Sequence, residues 1–294
     1  MRFLLGFSGV GDPSIRATFI ARAAGFTQRA MKLFRRPAPV TTLHIAVIVR
    51  RGKRMAFRPR DVSMNRDLAT LRVWDLPTRV FHWALALCVT GSVVSAKIGG
   101  NATLWHFRFG YAVFTLLLFR LAWGMVGGHW SRFVNFSYAP ATALRYLRGR
   151  SRAGEFHEVG HSPLGALSVF GLLGLLALQV ATGLVADDDI SNAGPLVGFV
   201  SGATSRTSTA WHNSVGQWSI ITLVVLHIAA IVFYLVRRQR NLVRPMLSGD
   251  KPLASLGAAL AAPASVDTAG SRGLALALVV ASAALVRWVV GLGA

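Results

Sequence analysis

The stretch WHNSVGQWSIITLVVLHIAAIVFYLV, residues 211–236, decides the fold class of this chain. A helix needs about twenty consecutive, mostly apolar residues to cross the hydrocarbon core of a bilayer. This stretch is long enough, and the basic run RRQR at residues 237–240 follows it directly. It therefore predicts a transmembrane helix, and that helix carries two histidines, His212 and His227.

Outward from this helix, the same criteria predict three transmembrane spans before it and one after it. The five predicted spans are Pro77 to Lys97, Thr103 to Val126, Ser162 to Ala186, Trp211 to Val236 and Leu274 to Leu292. The last span is rich in alanine and valine, and only Arg287 interrupts it. The predicted fold class is an all-α membrane protein, a four-helix transmembrane bundle with a fifth, C-terminal transmembrane helix.

The overall composition agrees with this class and excludes others. Of the 294 residues, 53% are hydrophobic and 15% are charged, whereas a soluble domain carries about a quarter charged residues. The net charge of +21 comes from arginines between the apolar spans and near the N-terminus. Because no nucleic-acid-binding motif accompanies them, no nucleic-acid partner is expected. Cys88 is the single cysteine, which excludes an intrachain disulfide and an iron–sulfur cluster.

The distribution of Lys and Arg predicts the orientation in the membrane. The segment before the first span, the loop 127–160 and the segment 237–251 are basic. The turn 98–102 has no Lys or Arg, and the loop 187–210 has only Arg206 beside three Asp. Since basic loops stay on the cytoplasmic side, the N-terminus and the loop 127–160 are predicted to be cytoplasmic.

Three regions are predicted along the chain. Residues 1–70 hold fourteen Lys or Arg and three Asp, and a basic, disordered N-terminal extension is expected there. This extension is either a targeting segment or, if translation starts at Met55 or Met64, not part of the protein. Residues 71–250 are predicted to form the four-helix domain, and residues 251–294 a linker followed by the fifth span.

Four histidines fall in the predicted spans at two matched depths. His82 lies near the cytoplasmic start of the first span, while His106 and His212 lie near the opposite ends of the second and fourth. His227 follows His212 by fifteen residues, about 22 Å along a helix, which returns it to the depth of His82. Fifteen residues also turn an α-helix about 60° beyond four full turns, so both can face the bundle interior. Two pairs are predicted, His82 with His227 and His106 with His212.

These pairs suit a haem better than a bare metal ion. Ionisable side chains inside a membrane are costly and are functional candidates by default, although a packing role stays open for any single histidine. Zinc or copper would need three or four ligands at one depth, and no Cys, Asp or Glu lies at helical spacing from these histidines. A haem needs only two axial ligands and a flat apolar slot. Two non-covalent haem groups are therefore expected, with the four histidines as axial iron ligands.

Several short motifs follow one another between residues 70 and 250. They are VWDLPTRVFHW at 73–83, WHFRFGY at 105–111, RLAWG at 120–124, GHSPLG at 160–165, WH at 211–212, HIA at 227–229 and RNLVRPM at 240–246. In this order they resemble the bacterial cytochrome b561 and nickel–iron-hydrogenase cytochrome b subunit family. The resemblance implies b-type haem ligands at the same four histidines. One departure is that the family more often separates the last two histidines by fourteen residues.

The resemblance also implies a function in respiratory electron transfer. It indicates a di-haem cytochrome b of the bacterial cytoplasmic (inner) membrane, which moves electrons between quinone or quinol and a redox partner protein. That partner would be a cytochrome c, a hydrogenase or another dehydrogenase. The chain would then be an electron carrier or the membrane subunit of an oxidoreductase. Two alternatives stay open, a haem-free membrane anchor of a peripheral redox enzyme and a small transporter that uses histidines as proton relays.

Two arginines and a fifth histidine are further candidates for cofactor contacts. Arg79 follows the start of the first span, and Arg120 lies near the cytoplasmic end of the second. A guanidinium pairs well with a carboxylate such as a haem propionate, while snorkelling to lipid phosphates is the alternative. His161, at the start of the third span, is either an interfacial residue or a contact to a propionate or a quinone.

Overall fold

The computed structural model describes residues 70–150, 159–252 and 262–293. Its helices are α1 Leu76–Ile98, α2 Thr103–Val126, α3 Pro140–Leu147, α4 Pro163–Leu184, α5 Gly202–Trp211, α6 Gln217–Arg237, α7 Val243–Ser248 and α8 Ala269–Gly291. A π-helical turn, His212–Gly216, joins α5 to α6. Two short antiparallel strands, β1 Thr70–Arg72 and β2 Asp250–Pro252, pair with each other. The prediction of disorder for the N-terminal extension concerns residues that, except for Thr70, lie outside the described ones.

Five helical segments of the described residues are long and apolar enough to cross a membrane. They are Leu76–Ile98, Gly100–Val126, Pro163–Leu184, Gly202–Arg237 and Ala269–Gly291. This confirms the predicted fold class, an all-α membrane protein with four spans and a fifth C-terminal one. Two short helices, α3 and α7, lie between the spans, and the small sheet pairs the strand before the first span with one after the fourth.

Two of the spans begin at least five residues earlier than the sequence pattern predicted. The fourth starts at Gly202 instead of Trp211, because the Ser201 side chain accepts a hydrogen bond from the Thr204 backbone N–H and caps the helix. The added turns are rich in Ser and Thr, so an apolarity criterion passes over them. The fifth starts at Ala269, where Thr268 forms a capping box.

The spans pack through two apolar clusters. One joins α1, α2 and α8, and its buried members are Phe81, Phe119, Trp123 and Ala275. The other joins α2, α4 and α6, and its buried members are Val113, Leu117, Leu176 and Ile220. The fifth span therefore packs against the first two and adds to the bundle core.

An ion-pair network ties the start of the fifth span to both ends of the four-helix region. Arg72 in β1 donates to Asp250 at 2.7 Å and to Asp267 at 2.8 Å. Arg272 in α8 also donates to Asp267 at 2.8 Å. Ser265, which is buried, adds a hydrogen bond to the carbonyl oxygen of Val73. The segment before α8 is thus bound to the strand that precedes α1.

Candidate functional site

The first histidine pair lies where α2 begins and where α5 passes into α6. His106 is in the first turn of α2, and His212 is the first residue of the π-helical turn. The centroids of the two rings are 5.9 Å apart, and the ring planes are perpendicular, at 90°. The structure brings together the two residues that the depth argument paired.

Hydrogen bonds fix the orientation of both rings in this pair. The Nδ1–H of His106 donates to the carbonyl oxygen of Ser92 at 3.0 Å, and the Nδ1–H of His212 donates to that of Gln179 at 2.9 Å. Since a carbonyl can only accept, Nδ1 carries the proton in each ring. This leaves both Nε2 lone pairs free, as a metal-ligating imidazole requires.

The second pair joins the first span to the fourth. His82 is in the second turn of α1, and His227 is in the middle of α6. Their ring centroids are 6.4 Å apart, with 49° between the planes. The Nδ1 of His82 is buried and has no hydrogen-bond partner among the described residues. The two pairs therefore have similar distances between their ring centroids but differ in the hydrogen bonds that hold their rings.

Both separations fit a shared iron between the rings. Two axial imidazoles, each bonded over about 2 Å, place their centroids about 6 Å apart across a haem iron. The observed values of 5.9 and 6.4 Å match this spacing. Among the described residues no group of three or more His, Cys, Asp or Glu could hold a metal ion by itself. The donor set at each place is two imidazoles, which is the number of axial positions on a haem.

A cavity of about 310 Å³ opens beside the first pair. Its apolar lining includes Val89, Val113, Leu176, Val180, Leu184 and Ile220. Gly183 in α4 lines it as well, and a Cβ atom built there would lie 2.7 Å from Cε1 of His212. No real Cβ makes so close a contact, so this glycine lets the imidazole approach α4 and keeps the cavity open.

Arg120 lies near the second pair, deep inside the bundle. Only 3% of this residue is exposed. Its guanidinium carbon lies 4.5 Å from the centroid of the Phe133 ring and 6.0 Å from that of Phe81, the residue before His82. Its Nη1 is buried without a hydrogen-bond partner among the described residues. A buried cation with an unused donor is suited to an anionic group of a bound cofactor.

His161 lies in the same region, just before α4. Its ring centroid is 4.5 Å from that of Phe136 and 4.7 Å from that of Trp74. Burial, followed by the positive charges of Arg120 and Lys251, lowers the pKa of His161 to about 3. The ring is therefore neutral at physiological pH, and its Nδ1 is buried without a partner among the described residues.

Asp75 connects the helix ends around this region. It is fully buried. Its carboxylate accepts hydrogen bonds from the backbone N–H of Thr78 at 2.8 Å, Ser131 Oγ at 2.8 Å, the backbone N–H of Gly128 at 3.0 Å and Trp123 Nε1 at 3.2 Å. Asp75 is the N-cap residue of α1. The same carboxylate joins the start of α1 to the end of α2.

Arg79, the other arginine that the sequence singled out, contacts α7. Its Nη1 donates to the carbonyl oxygen of Leu247 at 2.5 Å. Nearby, Trp83 Nε1 donates to the carbonyl oxygen of Met246 at 3.3 Å. In this structure Arg79 therefore holds the end of a short helix, while its Nε remains buried and without a partner among the described residues.

Sequence reasoning missed two residues that orient the first pair, Ser92 and Gln179. Both are polar residues within mostly apolar spans, and Gln179 is the only amide side chain in α4. That isolation was the available signal. It does not by itself say which partner such a residue meets, because the partner belongs to another helix.

The sequence pattern of the family described as prokaryotic cytochrome b561 matches residues 73–249. Two relatives are described as "Probable Ni/Fe-hydrogenase B-type cytochrome subunit" and a third as "Probable Ni/Fe-hydrogenase 1 B-type cytochrome subunit". The protein from Bradyrhizobium diazoefficiens is 25% identical over 68% of this chain and 94% of its own length. That from Rhodobacter capsulatus is 27% identical over 65% and 85%, and that from Escherichia coli K12 is 22% identical over 60% and 88%.

The matched segment spans more than half of the chain and contains all four paired histidines. The five helices that are long and apolar enough to cross a membrane, and the two imidazole pairs, agree with a b-type cytochrome that transfers electrons in a membrane. The chain belongs to the prokaryotic cytochrome b561 family, as a multi-pass membrane cytochrome of the b type.

Proposed function

We propose that this chain holds two b-type haem groups, one between His82 and His227 and one between His106 and His212. The observation that carries the proposal is the pair of centroid separations, 6.4 and 5.9 Å, which both suit one iron between two axial imidazoles. A bound haem supplies an iron that changes its oxidation state by one electron. The chain holds the rings in place, excludes water with apolar side chains and spaces the two sites across the bilayer.

Arg120 is proposed to bind a propionate of the haem between His82 and His227. The buried guanidinium has no hydrogen-bond partner for Nη1 among the described residues, and aromatic rings cover its faces. Burying a charge is costly unless it is paired, so a carboxylate at Nη1 would add to the electrostatic stabilisation that Asp75 provides. Arg79 is proposed to take part in the same pocket through its buried, unpartnered Nε.

The proposed reaction sequence is electron transfer between quinone or quinol and a redox partner protein at the bacterial inner membrane. Oxidation of one quinol releases two electrons and two protons, so two one-electron transfers must follow each other. The imidazole of His161 is neutral, and its Nδ1 has no hydrogen-bond partner among the described residues, so it suits a quinone oxygen. The names of the relatives support a hydrogenase-like enzyme as the partner.

Haem content per protein in single and double variants tests the two sites. His82→Ala or His227→Ala should each remove one and the same haem, and His106→Ala or His212→Ala the other. The double variant His82→Ala/His227→Ala should keep about one haem, and His82→Ala/His106→Ala close to none. A pyridine haemochrome assay counts the haem, and no haem in the unmodified protein would favour the haem-free anchor instead. Retention of both haems in His212→Ala would refute the proposed site.

A further inference from the structure

The five-residue π-helical turn His212–Gly216 interrupts an otherwise continuous helix from Gly202 to Arg237. Such turns are rare, and they accommodate one residue more than an α-helical turn does. The fifteen residues from His212 to His227 therefore behave as about fourteen α-helical ones. Around the helix axis, the side chain of His227 then falls about 40° short of four full turns from that of His212. In an uninterrupted α-helix it would lie about 60° beyond four full turns. The π-turn thus sets the direction in which His212 points.

Gln179 in α4 contacts His212 in two ways. Its carbonyl oxygen accepts the Nδ1–H of the imidazole at 2.9 Å. Its side-chain Nε2 donates to the backbone carbonyl oxygen of His212 at 2.8 Å. One residue therefore fixes both the ring and the main chain at the first position of the π-turn.

Close packing against Gly216 holds the Gln179 side chain beside the π-turn. A Cβ atom built on Gly216 would lie 2.1 Å from Oε1 of Gln179 and 2.7 Å from Nε1 of Trp211. The last residue of the π-turn is thus a glycine where any side chain would displace the amide. Both of these polar atoms are buried and lack a partner among the described residues. The Gln179 amide lies between α4 and the π-turn, and a residue larger than glycine at position 216 would take its space.

We infer that Gln179 is a positioning residue for His212. Its side chain holds the π-turn in the register that directs the His212 imidazole toward His106. The inference rests on the proposed function, since it takes His212 as an axial ligand. Without the amide, the π-turn loses the hydrogen bond that fixes its first carbonyl group. The extra residue can then shift along the helix, and the ring turns away from the cavity between α2 and α4.

The experiment compares Gln179→Leu, which keeps the size and removes the hydrogen bonds of the side chain, with Gln239→Leu as a control. Gln239 is exposed, and its side-chain Nε2 donates to the carbonyl oxygen of Val236, away from the site. Haem content and low-temperature electron paramagnetic resonance spectra are measured on the full chain in detergent. Gln179→Leu should reduce the occupancy of the haem at His106 and His212 at least twofold, or shift its g-values. The signal of the haem at His82 and His227 should stay unchanged, which shows that the bundle is folded.

Deletion of Asn213 supplies the second arm, because it removes the extra residue and with it the need for a π-turn. If the deletion variant keeps both haems, adding Gln179→Leu to it should cause no further loss. If the deletion variant loses the haem at His212, the π-turn itself is required, and its loss together with the effect of Gln179→Leu supports the inference.

Two results would overturn the inference. One is an unchanged spectrum and haem content in Gln179→Leu. The other is an equal loss in the native background and in a deletion variant that keeps both haems. His212→Ala separates this from the proposed function, since retention of both haems there would refute the ligand assignment whatever Gln179 does.

Discussion

At the scale of single residues, the two histidine pairs lie in different electrostatic surroundings. His106 and His212 each donate a hydrogen bond from Nδ1 to a backbone carbonyl oxygen, which makes an imidazole a stronger electron donor to iron. His82 has no such acceptor among the described residues, and the cation of Arg120 lies 6.0 Å from the ring of Phe81, the residue before His82. Stronger electron donation by the imidazole favours the oxidised state of a bound iron, and a nearby cation favours its reduced state. For the two proposed haem groups, both differences predict electron flow from the first pair to the second.

Replacement of Arg120 by glutamine tests the electrostatic part of this argument. Arg120→Gln removes a buried positive charge, so the midpoint potential of the haem between His82 and His227 should fall by on the order of 60 mV. The potential of the other haem should change much less, because it lies farther from the charge. Optical redox titration of the purified protein measures both. Arg244→Gln, at an exposed residue, serves as the control, and an equal shift of both haems would contradict the assignment.

At the scale of elements, α4 determines how closely the helix with His212 can approach. Its glycines are not equivalent, because a Cβ on Gly183 would meet the imidazole of His212 at 2.7 Å, while one on Gly171 would meet nothing within 4 Å. Small residues are common where membrane helices pack closely. The structure therefore separates a glycine that makes room for the His212 ring from one that does not.

The pair Gly183→Ala and Gly171→Ala turns this difference into a prediction. The first change should push the His212 ring out of place and lower the haem content from about two per protein toward one. The second should leave both haems, and thermal stability should stay within about 1 kcal/mol, since an added methyl group there meets open space. Haem content and the reduced optical spectrum check both variants. Full haem content in Gly183→Ala would show that the ring has more freedom than this packing allows.

At the scale of the whole molecule, much of the architecture is readable from the sequence. The five spans follow from apolar length, and the partnership of the histidines follows from depth, because antiparallel helices place residues at predictable heights. The start of the fourth span at Gly202 was missed, since its Ser- and Thr-rich turns lack apolar residues. The π-turn and the contacts of Gln179 were missed because a helix register of this kind depends on packing against a neighbouring helix. The roles of the four histidines as iron ligands stay a prediction.

Orientation in the membrane is the property of the whole molecule on which the proposed direction of electron flow depends. With the N-terminus and the loop 127–160 in the cytoplasm, five spans place the loop 187–201 and the C-terminus outside, and the segment 238–242 inside. A periplasm-active reporter fused within the outer loop or after the last residue should be active, and one fused after Arg240 inactive. A cytoplasm-active reporter should give the reverse pattern. If the reporter in the outer loop and the one at the C-terminus disagree, Ala269–Gly291 does not cross the membrane. If all three fusions are reversed, the His82 and His227 pair lies on the outer side, and the redox partners exchange sides with it.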